Sequence, residues 1–160
     1  MADISWSPDN RTIYAVFAGD TPEQAQECIE QLVEYMKKVL DNGNMFTMRV
    51  DTTAMHASPG FGSVKMLIQF MKAYRPKCAA QMKGTAIVIR SAVIRWLVNT
   101  MFSLHPPTSP VTLVESLGSA DTYIHDAIQG TVRANTEFRY QKNREQESLL
   151  TAEDRDLCAQ

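Results

Sequence analysis

The stretch Asp51–Val64, DTTAMHASPGFGSV, holds a carboxylate, four hydroxyls, an imidazole and two glycines. An apolar segment leads into it and an amphipathic one leads out. A helix N-terminus carries unpaired N–H groups and a partial positive charge, so an anion there gains about 0.3–1 kcal/mol. A phosphate on Ser58 or Ser63 would bring roughly −1.5 to −2 charge to that point. Asp51, Thr52, Thr53, Ser58, Gly60, Gly62 and Ser63 are therefore the candidate switch or interaction residues. The same residues also suit a purely structural part. Ser58 and Ser63 are good helix caps, Pro59 suits a first turn, and Asp51 can hold the turn that follows it.

Other chemistries find less support. Gly60 and Gly62 are not followed by the Lys-Ser/Thr of a phosphate loop, and GxGxxG and GxSxG are absent. His56, His105 and His125 fall in three different segments, and none has the i, i+4 partner of a helical zinc site. They read as surface histidines. Cys28, Cys78 and Cys158 are odd in number and match no metal or CxxC spacing. Lys77 and Lys83 flank Cys78 in sequence, a weak basis for a reactive thiol. We expect no catalytic set, no metal and no cofactor. A second candidate surface is VIRWLVNTMF with Arg90 and Arg95, where Trp96, Met101 and Phe102 could rim an apolar pocket or meet a partner. The alternative is that Met101 and Phe102 are core and Trp96 lies at its edge.

Of the 160 residues, 44% are hydrophobic and 21% charged, with a net charge of −2. Those values suit one globular domain with a sizeable core and give no basic bias toward nucleic acid. No basic segment followed by an apolar run opens the chain, and no stretch reaches the ~18 apolar residues of a membrane span. A reduced, cytoplasmic setting is the expectation.

The elements that position these residues follow from periodicity. Ile4, Trp6 and Thr12–Ala18 read as a hairpin turned by Ser7-Pro8-Asp9-Asn10. Thr21, Pro22 and Gln24 predict a capping box, followed by a helix with Ala25, Cys28, Ile29, Leu32, Val33, Met36, Val39 and Leu40 on one stripe. Asn42-Gly43 ends it. Met45–Val50 is the next strand, and Val64, Leu67, Ile68, Met71 and Tyr74 mark a second helix that Pro76 ends or kinks. Thr85–Ile89, TAIVI, suits a central strand covered on both faces. A third helix carries Val93, Ile94, Leu97, Val98, Met101 and Phe102 inward and stops at His105-Pro106-Pro107. Val111–Val114 is a strand, and Ser119 caps a fourth helix with Ala120, Ile124, Ala127 and Ile128 inward. The fold class is α/β, order ββαβαβαβα: a mixed, mostly parallel sheet of about five strands with four helices. We expect one domain over residues 1–130 and a charged helix or tail over 131–160, whose one apolar pair is Leu149-Leu150.

This layout resembles the sulfate-transporter and anti-sigma-factor-antagonist (STAS) family over about residues 3–129. The likeness rests on the opening hairpin with Gly19, on Val50-Asp51-Thr52-Thr53 followed by Ser58-Pro59-Gly60, and on the closing unit with Ala120. In the closest ungapped register Gly62 falls on the family's glycine; a two-residue deletion brings Ser58 onto its phosphorylatable serine. A second stretch, Tyr74-Arg75-Pro76 with AIVIRSAVIRWLVNTMFSLHPPTSPVTLV, resembles the core of CRAL-TRIO lipid-binding domains, which share that fold. The first resemblance implies a non-enzymatic regulatory module with a protein partner. The second implies a carrier or sensor of lipid or another apolar small molecule, with an interior pocket of roughly 300–1,000 Å³.

Overall fold

The chain enters the sheet through a turn that its own side chains hold. The Ser7 hydroxyl donates to Asp9 Oδ1 at 2.5 Å and accepts from the Thr12 N–H at 3.0 Å. Asn10 takes a φ of 55°, the left-handed geometry that Asn tolerates. The computed structural model describes residues 1–132, so the expected charged segment beyond that point, with Leu149 and Leu150, lies outside the described residues.

The elements are β1 (Ala2–Trp6), β2 (Thr12–Gly19), α1 (Pro22–Asp41), β3 (Phe46–Met55), α2 (Phe61–Ala73), α3 (Arg75–Gln81), β4 (Met82–Val88), α4 (Ala92–Leu104), β5 (Val111–Val114) and α5 (Leu117–Ile128). The five strands lie in the order β1-β2-β3-β4-β5. β1 is antiparallel to β2, and every later pair is parallel.

α1 follows its sequence signals closely. Thr21 accepts from the Gln24 N–H at 3.3 Å while the Gln24 side chain accepts from the Thr21 N–H, a reciprocal box. Its eight buried residues are Ala25, Cys28, Ile29, Leu32, Val33, Met36, Val39 and Leu40, the predicted stripe. Gly43, at φ 79°, lets the chain leave the helix end.

Four expectations are corrected. A fifth helix, α3, is present among the described residues, because α2 stops at Ala73 and Pro76 is tolerated in the first turn of a new short helix. β3 does not end at Val50 but runs on to Met55. Ala54 pairs with Ala18 and Met55 with Gly19, past a register shift between Val16 and Ala18, and the β-branched threonines suit that extension. α5 is capped by Ser116, whose hydroxyl accepts from the Ser119 N–H at 3.1 Å; Ser119 itself lies in the first turn. Val93 is 61% exposed, so it faces out from α4 rather than in.

The two faces of the sheet are covered unequally. One apolar cluster joins Ile13, Ala15, Phe17, Met48 and Val50 of the sheet to α1, to Cys78 of α3 and to Ile94 at the start of α4. A second joins α4 to α2 through Met101, Phe102, Leu67 and Met71. On the opposite face, among the described residues, α5 packs with Ala120 and Ile124 against Ala86 and Val88 of β4. Small residues permit that approach. A Cβ added at Gly84 would lie 2.6 Å from the Cβ of Ala127. We predict that Gly84→Ala lowers unfolding stability by about 1–3 kcal/mol, the usual cost of overpacking. Gly62→Ala, with open space around it, should match or exceed wild type in the same urea titration.

Candidate functional site

The residues singled out in Asp51–Ser63 do not converge on one point. Asp51 Oδ1 accepts from the Thr53 N–H at 2.9 Å and from the Thr53 hydroxyl at 2.7 Å, so the carboxylate is engaged by its own neighbour. Thr52 is buried and donates to the Val88 carbonyl at 2.7 Å, pinning β3 to β4. Ser58 is half-buried and donates to the Pro59 carbonyl at 3.3 Å. Gly60 occupies the N-cap of α2, which therefore has no side-chain cap, and Gly62 is exposed in the first turn. Neither Ser58 nor Ser63 caps the helix, contrary to expectation. Ser63 is fully buried, and its hydroxyl has no hydrogen-bond partner among the described residues. A modifying enzyme has no access to it.

That geometry separates the two serines experimentally. Ser63→Ala removes an unsatisfied buried hydroxyl and should leave stability unchanged or higher. Ser63→Asp buries an unpaired carboxylate and should cost more than about 3 kcal/mol or prevent folding. Chemical denaturation of the two variants checks both.

Part of the same stretch borders a concavity, whose wall includes Thr52, Met55, Pro59 and Val64. This cavity, of about 240 Å³, sits between the sheet and the helices α1, α2 and α4. Leu32 and Met36 of α1, Leu67 of α2, Val98 of α4, and Val50 and Ile87 of the sheet line it. Met101 and Phe102 join that wall, and both are 5% exposed. Trp96, grouped with them from sequence, is 64% exposed and is not part of the lining. Helical period places it on the outer side, away from Phe102. Ile87 is only half-buried between the buried Ala86 and Val88 because it faces this space.

Polar groups reach the cavity mostly at one end. Among the described residues, Lys72 and Arg75 are the ionised members of its wall, with no Asp or Glu beside them. His105, Thr108 and Ser109 come from the proline-rich loop after α4. His105 is half-buried against the cavity, not a free surface histidine as expected. Thr85 is 3% exposed, lines the space, and has an Oγ1 with no hydrogen-bond partner among the described residues. Sequence reading passed over Lys72, Arg75 and Thr85, and took His105 for a surface residue. The one available signal was Thr85, a hydroxyl at the head of the buried run TAIVI.

The remaining candidates serve the scaffold. Arg95 donates to the Ile89 carbonyl at 2.8 Å and pairs with Glu115 at 3.6 Å, and Arg90 donates weakly to the Glu115 carbonyl. Both tie the start of α4 to the ends of β4 and β5. Arg49 pairs with Asp121 at 2.5 Å and stacks over Tyr14, which fixes α5 to the sheet. Among the described residues no group of three His, Cys, Asp or Glu could hold a metal ion, and no helix is long and apolar enough to cross a membrane.

Comparison with family models, with curated proteins and with solved structures gives no significant match.

Cys78 touches the cavity from α3, where burial pushes its thiol up to about 11. A raised value keeps the sulfur protonated and poorly nucleophilic at neutral pH. Cys28 is also buried. In a Cys158→Ser variant, we predict that both remaining thiols react with a disulfide reagent at pH 8 only as fast as the protein unfolds. Prompt labelling of either one in the folded state would contradict this.

Proposed function

We propose that the protein binds an apolar small molecule in the cavity beneath α2 and α4 and acts as a non-enzymatic carrier or sensor. The cavity carries this reading. It is predominantly apolar, lies between helices and sheet with an opening to solvent, and is larger than the ~150 Å³ engineered space that takes up benzene. A ligand that displaced water from this lining would gain the burial of its own apolar surface. The volume lies below the roughly 300–1,000 Å³ of typical drug-sized sites, so the occupant is small. Of the two family resemblances, the CRAL-TRIO one accords better with this space.

The alternative, a STAS-like interaction module switched at the loop before α2, keeps Ser58 and the N-terminus of α2, which has no side-chain cap, as its basis. Ser63 is inaccessible, and Asp51 and Thr53 satisfy each other.

Binding should raise the unfolding temperature by mass action. A ligand at 100 times its Kd adds about 2.7 kcal/mol, or roughly 10 °C for a domain of this size. Native mass spectrometry of gently purified protein should show a retained adduct, and 1-octanol should raise the melting temperature. Val98→Trp, which places an indole in the space, should abolish both effects. Absence of any adduct together with an unmoved melting temperature would overturn the proposal.

A further inference from the structure

Resting on that reading, we propose that the occupant is an amphipathic anion, specifically a medium-chain carboxylate. Its alkyl chain would lie between α2, α4 and the sheet, and its head group would meet Lys72, Arg75 and His105.

The argument begins with the asymmetry of the wall. Among the described residues, its two ionised side chains are both cations, and no acid neutralises them. Neither Lys72 nor Arg75 forms an ion pair among the described residues, whereas Arg49, Lys77 and Arg95 each do. Lys72 and Arg75 are three residues apart across the α2–α3 junction. The Thr108 hydroxyl donates to the Arg75 carbonyl at 3.5 Å, so the loop that carries His105 is held against this corner.

Thr85 lies at the same end. Its N–H bonds the Pro110 carbonyl at 2.9 Å, and it pairs with Val111, the first residue of β5. The chain therefore collects two cations, an imidazole and an unpartnered buried hydroxyl where the parallel strands begin. At the opposite end the lining is Phe17, Met55 and Pro59, and the one hydroxyl there, on Thr52, is already spent on Val88. A molecule that satisfies both ends must be apolar along its length and anionic at one tip. Arg matches a carboxylate with two parallel donors. Because Lys72 and Arg75 are exposed, the head group can keep part of its hydration and avoid the full cost of a buried charge.

Size sets the chain length. If about 150 Å³ suits a six-carbon ring, about 240 Å³ suits roughly ten non-hydrogen atoms. The lining extends from Met55 at the end of β3 to Ser109 just before β5, from one end of the parallel strands to the other, which fits a linear chain better than a compact ring.

The test is isothermal titration of the whole chain at neutral pH with octanoate, 1-octanol and acetate. We expect octanoate to bind at least tenfold more tightly than 1-octanol and acetate not to bind. In the double variant Lys72→Gln/Arg75→Gln, both positions being exposed, octanoate should fall to the affinity of 1-octanol while 1-octanol itself is unchanged. Equal binding of the two eight-carbon probes to wild type would overturn the anionic assignment and leave the apolar site standing. A preference for octanoate that survives in the double variant would overturn the placement of the head group. Binding of neither eight-carbon probe would overturn the small-molecule reading itself.

Discussion

The hand of parallel crossovers is the constraint on which this structure depends. A strand–helix–strand connection in one sheet is right-handed in about 98% of cases. Here strand order follows chain order, so each crossover steps in the same direction across the sheet. Steps of one hand in one direction put their helices on one face. α1, the α2–α3 pair and α4 must therefore share the side occupied by Ile13, Phe17, Met48 and Val50. They do not share it evenly. α1 brings eight buried residues to the interface, α4 brings Ile94, Met101 and Phe102, and α2 brings only Ser63. Where α2 contributes half-buried side chains in place of buried ones, the layer encloses a cavity.

The other face follows from the same count. Among the described residues α5 covers it, on the β4 side. Gly84 and Ala86 on the strand and Ala120 and Ala127 on the helix bring the two backbones close, trading side-chain volume for proximity. The Arg49–Asp121 pair, with Tyr14 beneath the guanidinium, finishes the contact toward β2. Part of that pair is exposed, so its energy is modest. Its effect is to set where the helix rests.

How much of this the sequence disclosed depends on what each signal reports. Helical period identifies the side of α1 that is buried, and the eight stripe residues match because α1 packs along its whole length. TAIVI reads as a two-faced strand because both faces need apolar side chains. Periodicity does not say how completely a side is filled, so the space beside Ile87 and Val98 was invisible. Val93 satisfied the same pattern and lies in solvent. The end of β3 was missed because Asp51-Thr52-Thr53 looks like turn chemistry, yet the Thr52–Val88 bond and the pairing with β2 continue the strand. Lys72, Arg75, Thr85 and His105 come from four elements or loops, and only tertiary packing brings them to one wall. The resulting polar end lies opposite the Asp51–Ser63 loop that the sequence made conspicuous.

The sheet adds each strand beside its predecessor, which has a consequence for synthesis. A chain emerging from the ribosome meets an already formed edge every time a new strand appears, so the architecture can be laid down from the N-terminus without waiting for distant partners. The exception is α5, on the far side. Until Leu117–Ile128 has been translated, Ala86 and Val88 lack its cover, and the nascent domain carries a wetted apolar stripe along β4.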